Sequence, residues 1–203
     1  MHSQYGKLDR ERIRLALSRR EKAVARTDGY TPAAVLIPLY DRDGECYLVF
    51  TRRTEIVNHH KGQISFPGGG RHPEDRTLMD TALRESWEEI GLNPEDAEVL
   101  GELDDIATYT TNFVISPFVA AIPYPYEFRP SPYEVGEIIE VPLSVLVDKN
   151  NFSQEVVSLG DQLILQYFYR HGDQVIYGAT ARILKQFLEI VLGVPGTQSL
   201  GQS

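Results

Sequence analysis

The sequence predicts a mixed α+β sandwich. Two observations point there: strand-like apolar runs separated by turn chemistry recur along the chain, and they surround two or three helical segments without the regular strand–helix alternation of a doubly wound sheet. Residues 30–40, YTPAAVLIPLY, read as a buried strand. Asp41-Arg42-Asp43-Gly44 is a turn, and CYLVFTRR at 46–53 is its hairpin partner. QISF at 63–66 is a short strand running into the turn Pro67-Gly68-Gly69-Gly70. Further strands are expected at 97–104, 114–122 and 137–143, and a hairpin at 163–177 around His171-Gly172-Asp173.

Three segments read as helices. Residues 8–25 carry Leu8, Ile13, Leu15, Leu17, Ala23 and Val24 among many charges, which suits a surface helix. Residues 78–90 form the second helix, with Thr77 and Asp80 as a capping box in which Asp stands for the usual Glu, and with Gly91 as a stop before Leu92, Asn93 and Pro94. The third is ATARILKQFLEIVL at 179–192. The chain divides into an N-terminal helical extension (1–29), one main domain (30–193) and a flexible tail (194–203).

Composition narrows the function. Of 203 residues, 42% are hydrophobic, enough for a substantial core. The net charge of −9 argues against a nucleic-acid partner or an anionic membrane surface, but it leaves room for a phosphorylated substrate held through cations. Cys46 is the only cysteine, so no intramolecular disulfide forms, and it reads as a small buried hydrophobe. A cytoplasmic location is expected, with no membrane span and no apolar leader core.

At about 100° per residue, Met79, Ala82, Leu83, Ser86 and Ile90 share one face of the second helix, the face expected to pack on the sheet. Glu85 and Glu89 stack four residues apart at the margin of that face, with Glu88 a further turn round. Like charges at this spacing destabilise a helix unless a cation lies between them. Arg84 can orient one carboxylate but cannot neutralise three. Hard divalent cations such as Mg²⁺ take carboxylate, carbonyl and phosphate oxygens, and the glycine run before the helix lets backbone approach closely. An E-x-x-E-E run alone is most often a solvated face and a Pro-Gly-Gly-Gly stretch usually only a turn; together, at fixed spacing, they are far more specific.

Arg84-Glu85-Ser86-Trp87-Glu88-Glu89-Ile90-Gly91-Leu92, with Gly69 and Asp75 upstream, resembles the Nudix box of the Nudix hydrolases. Asp75 replaces the usual Glu and Ser86 an apolar residue, and the spacing from Asp75 to Arg84 is one residue longer than usual. Upstream, Thr51, Arg53, Gly62, Phe66, Pro67, Gly68 and Gly69 match the signature of the coenzyme A diphosphatase branch, with Thr54 for Ser, Asn58 for Arg and His72 where an acidic residue is common. Downstream, Pro132-Tyr133-Glu134-Val135, Glu137, the stretch from Glu140 to Leu143, and the stretch from Ile176 to Ala181 resemble later segments of that branch.

The resemblance implies a Nudix α/β/α sandwich with a mixed β-sheet, and Mg²⁺- or Mn²⁺-dependent hydrolysis of a nucleotide pyrophosphate. For coenzyme A the products would be 3′,5′-ADP and 4′-phosphopantetheine. It implies Glu85, Glu88, Glu89 and the Gly69 carbonyl as metal ligands, and Arg84 as the residue orienting the carboxylates. The general base is a box glutamate, Glu134 or Glu137, with Glu137 preferred, so that Glu88, Glu89, Glu137 and Arg84 form the expected catalytic set. Arg53, Lys61 and Arg71 are the expected substrate-binding residues, while Arg52 points to solvent. His59 and His60 are not expected to be ligands, and Trp87 is expected to pack in the core. The expected partner is a small nucleotide-like molecule resembling coenzyme A, with a homodimer left open. ADP-ribose or NADH hydrolysis, or a catalytically silent ligand sensor, are the alternatives.

Overall fold

A computed structural model describes residues 9–54, 62–160 and 162–194. Its elements are α1 (Arg10–Ser18), β1 (Thr31–Arg42), β2 (Glu45–Arg53), β3 (Ile64–Ser65), β4 (Gly68–Gly70), α2 (Leu78–Ile90), β5 (Glu98–Glu102), β6 (Ile106–Ala107), β7 (Phe113–Ala121), β8 (Val135–Pro142), α3 (Leu143–Leu146), β9 (Phe152–Leu159), β10 (Gln162–His171), β11 (Gln174–Ile176) and α4 (Gly178–Leu192).

The long apolar strand β1 organises the main sheet. It runs parallel to β7, from Thr31 opposite Phe113 to Leu39 opposite Ala121. Its other edge is shared: Leu39–Arg42 pair antiparallel with β2, while Ala33–Val35 pair antiparallel with β4. β8 continues the sheet beyond β2, and β5 continues it beyond β7. Parallel and antiparallel pairs coexist, so the sheet is mixed.

Alternation along β1 and β2 divides the interior in two. Ile37, Leu39, Leu48 and Phe50 face α1 and α4, where Ile13, Leu17, Leu184 and Phe187 are buried. Ala34, Leu36, Tyr40 and Val49 face α2, where Ala82 and Ile90 are buried. Helices on both faces of a mixed sheet make the expected α/β/α sandwich.

Three differences from the sequence reading have physical causes. The first helix stops at Ser18 rather than near residue 25. The segment after it is held as an extended strap instead: Arg20 pairs with Asp104, the Ala23 N–H donates to Asp104 Oδ1 at 2.7 Å, and the Asp105 N–H donates to the Ala23 carbonyl at 3.0 Å. The glycine run is a strand, because β1 leaves half of one edge open for it. Residues 152–159, FSQEVVSL, form β9 beside β10 in a separate three-stranded sheet; apolar and polar residues mix on both of its faces, so no period of two shows in the sequence.

Gly68 has φ 155°, and a Cβ there would lie 2.3 Å from the Ala34 carbonyl oxygen and 2.6 Å from Val35 Cα. Only glycine lets β4 reach β1. Gly68→Ala is therefore expected to lower unfolding free energy by about 2 kcal/mol or more, read from urea unfolding.

Candidate functional site

The helix that carries the acidic residues is fixed at both ends. The Asp80 N–H donates to Thr77 Oγ1 at 3.1 Å, and the Thr77 N–H donates to Asp80 Oδ2 at 2.9 Å, which closes the capping box. At the other end Gly91 adopts the left-handed conformation, and its N–H donates to the Trp87 carbonyl at 3.0 Å. The buried face is rotated from the expected one. Ala82, Ser86 and Ile90 are buried as expected, but Thr81 and Glu89 join them, Leu83 is half-buried and Met79 is 36% exposed. Trp87 is 53% exposed rather than in the core, because the rotation that buries Glu89 turns position 87 outward.

Arg84 is the hub of the acidic cluster. Its Nε and Nη2 donate to the two oxygens of Asp75 at 3.0 and 3.1 Å. Nη2 also reaches the Gly70 carbonyl at 3.2 Å, and Nη1 reaches Glu85 Oε1 at 2.8 Å and Glu88 Oε2 at 2.9 Å. One guanidinium thus touches three carboxylates and the glycine strand, as its planar fork of donors permits. Asp75 also accepts from the Thr81 hydroxyl at 2.9 Å and the His72 N–H at 2.8 Å. The Arg84 hydrogen bonds hold the Asp75 carboxyl well below the usual carboxylate range. Asp therefore fills the position despite its shorter side chain.

Glu89 is the opposite case. It is 4% exposed, and burial pushes its carboxyl up to about 8. The Gly68 N–H, 3.2 Å from Oε2, and the Arg53 guanidinium, 3.7 Å from Oε1, oppose that rise; the charges of Glu85 and Glu134 add to it. Glu85 is half-buried and also raised, first by burial. A Cβ at Gly69 would lie 2.5 Å from the Glu85 carboxylate, so the backbone there runs directly against the acidic group.

These residues fit a hard divalent cation. The donors are all oxygens, the glycine strand lies where any side chain would fill the space, and buried like charges lack a full set of counter-charges. Among the described residues, no three acidic, histidine or cysteine side chains already converge as a ligand set.

The other expected site residues fall in distinct places. Arg53 points to Glu89, and its Nε is buried without a partner. Arg71 donates to the carbonyls of Asp75 at 3.0 Å and Arg76 at 3.2 Å, so it braces the turn before α2. Lys61, with Asn58, His59 and His60, lies outside the described residues. Glu137, the preferred general base, is on the opposite face of the sheet from Glu89, ion-paired to Arg52 at 2.9 Å. The cause is a bulge: Arg52 pairs with Glu137 but Arg53 pairs with Val135, leaving Gly136 extra and interrupting the alternation that would align Val135 with Glu137. Glu134 is the downstream glutamate whose charge reaches both Glu85 and Glu89. Cys46 is buried, and burial pushes its thiol up to about 12.

The NUDIX domain family matches residues 29–155. The chain belongs to the Nudix family. It is 33% identical over 165 residues to the uncharacterized Nudix hydrolase NudL of Photorhabdus laumondii, covering 81% of this chain and 87% of that protein. It is 29% identical over 165 residues to the peroxisomal coenzyme A diphosphatase NUDT7 of Mus musculus, covering 78% of this chain and 70% of that protein. The fold is similar to a MutT/nudix family protein from Enterococcus faecalis, with TM-score 0.59 at 14% identity over 87% of this chain and 66% of that one. The chain is a Nudix pyrophosphohydrolase, and Nudix hydrolases generally use divalent ions such as Mg²⁺ or Mn²⁺. Among the described residues, no helix is long and apolar enough to cross a membrane.

The raised Glu89 carboxyl has a consequence for stability. A carboxyl whose folded value lies above its ordinary value near 4.5 favours folding while protonated, and that contribution is lost as pH rises towards about 8. In metal-free protein the Tm is expected to fall between pH 5 and 8.5. Glu89→Gln is expected to flatten the decline and to exceed the wild-type Tm by several degrees at pH 8.5, by calorimetry in chelator.

Proposed function

We propose that the protein hydrolyses the pyrophosphate bond of coenzyme A or its derivatives, releasing 3′,5′-ADP and 4′-phosphopantetheine. The observation that carries this reading is the convergence of Glu85 and Glu89 on the glycine strand. The coenzyme A signature between Thr51 and Gly69 and the similarity to the mouse diphosphatase support the substrate.

Glu85, Glu89 and the Gly69 carbonyl would hold Mg²⁺ or Mn²⁺, with Glu88 as a further ligand. When bound, such an ion neutralises charge developing on the pyrophosphate and acidifies coordinated water. The chain's own residues do the rest. Arg84 is a positioning residue: tied to Asp75 and the Gly70 carbonyl, it fixes where Glu85 and Glu88 can point. Arg53 lies beside Glu89 with an unpartnered buried Nε, and offers its guanidinium to a phosphate oxygen. Glu134 is exposed, and its carboxylate makes no hydrogen bond among the described residues; it takes the proton from attacking water. The register of β8 argues for it over Glu137.

Hydrolysis of ADP-ribose or NADH is the alternative, favoured by Asn58 in place of the signature Arg. Turnover with Mg²⁺ or Mn²⁺ on coenzyme A beside ADP-ribose and NADH, with products resolved by mass spectrometry, separates the two. Release of 3′,5′-ADP from coenzyme A is expected, with loss in chelator. Glu89→Gln is expected to lower kcat by roughly 10²-fold or more, with the fold intact by circular dichroism. Arg53→Ala is expected mainly to raise KM.

A further inference from the structure

We infer that Tyr109 and Arg182 form the recognition wall for the nucleoside half of the substrate, the ring of Tyr109 stacking on the base and Arg182 facing the ribose phosphate. This rests on the reading of the site as a nucleotide pyrophosphohydrolase and names where its specificity lies.

The two residues stand at the same end of the sheet as the acidic cluster, with Arg182 on α4 and so across the sheet from α2. The Gly70 backbone, next to Gly69, runs beside Phe113: a Cβ on Gly70 would lie 3.9 Å from that ring, and both residues pair with the first turns of β1. Phe113 closes the 108–112 loop, donating its N–H to Thr108 Oγ1 at 2.9 Å and accepting from the Thr108 N–H at 2.8 Å. Tyr109 is the next residue. The loop is therefore anchored one contact away from the glycine strand.

Among the described residues, Tyr109 has no place in the core. Its ring is 49% exposed and belongs to neither core cluster. The loop's shape is held by Thr108, by the Thr111 hydroxyl donating to Thr108 Oγ1 at 2.9 Å, and by Arg182 Nη1 donating to the Ala107 carbonyl at 2.8 Å. That last bond also places the Arg182 guanidinium 4.6 Å from the centre of the Tyr109 ring. Among the described residues no carboxylate pairs with Arg182, so a cation without a counter-ion sits on one side of a half-bare aromatic ring. In a chain of net charge −9, that combination suits a planar base carrying a phosphate: every base offers a face for stacking, and guanidinium is well matched to phosphate.

The opposite flank leads back to the reaction centre. Tyr177, at the start of α4, accepts from Gln63 Nε2 at 2.7 Å. Gln63 accepts through its carbonyl from the Arg53 N–H at 3.0 Å, and Arg53 faces Glu89. The helix that carries Arg182 is thus joined through Tyr177 and Gln63 to Arg53 beside the acidic cluster.

The test measures binding and turnover separately on Tyr109→Ala, Tyr109→Phe, Arg182→Ala and wild type. The probes are adenosine 3′,5′-bisphosphate and 4′-phosphopantetheine by isothermal titration with Mg²⁺, and coenzyme A by steady-state kinetics. Tyr109→Ala is expected to raise KM for coenzyme A about tenfold, with kcat changed far less and Tm unchanged, and Tyr109→Phe to restore wild-type KM. Adenosine 3′,5′-bisphosphate affinity should fall in parallel while that for 4′-phosphopantetheine holds. Arg182→Ala should weaken adenosine 3′,5′-bisphosphate more than adenosine. Unaltered KM and bisphosphate affinity in Tyr109→Ala, with wild type turning over normally, would overturn this inference and leave the functional proposal standing. A wild type that cleaves no nucleotide pyrophosphate would overturn the functional proposal, and Tyr109-dependent binding of the bisphosphate would still decide this one.

Discussion

The active end of this molecule depends on one steric constraint: a strand of three glycines lies between β1 and α2 at distances no side chain could share. On one side, a Cβ at Gly68 would collide with the backbone of Ala34 and Val35; on the other, a Cβ at Gly69 would collide with the carboxylate of Glu85. Because β1 gives half an edge to β2 and the other half to β4, the glycine strand is part of the sheet and not a loose turn. The carboxylates of α2 are therefore set against rigid backbone.

Electrostatics completes what sterics begins. α2 brings Glu85, Glu88 and Glu89 together, and alone they would repel one another. Arg84 compensates on the exposed side, bonded to Asp75 and to two of the three glutamates. On the buried side, Glu89 has one backbone N–H and a guanidinium at 3.7 Å, too little to offset its burial. The two carboxyls are driven in opposite directions, Asp75 down and Glu89 up. One is a structural anchor and the other a buried carboxyl whose ionised form the surrounding groups do not satisfy, which is the asymmetry expected where a cation belongs.

Much of this was legible in the sequence, for identifiable reasons. The α2 boundaries follow from local chemistry, since Thr77, Asp80 and Gly91 act through neighbours three or four residues away. The acidic box and glycine run were legible because their spacing is itself the signal. Other features depend on distant partners. The strand character of Gly68–Gly70 requires the open edge of β1, and the burial of Glu89 in place of Met79 requires the actual rotation of α2 against the sheet. The face on which Glu137 emerges turns on one bulge at Gly136, which reverses the alternation that sequence reading assumes. Tyr109 and Arg182 are 73 residues apart in number and meet only through the end of the sheet.

The most direct test of the cation site is the number of protons released when Mn²⁺ binds, measured by titration calorimetry in buffers of different ionisation enthalpy. A cation that enters against Glu89 must displace the proton its buried carboxyl holds near pH 7. The account predicts release of close to a full proton per bound ion at pH 7, fading towards zero well above pH 8, and abolished in Glu89→Gln. Mn²⁺ that binds without proton release, and equally well to Glu89→Gln, would contradict it.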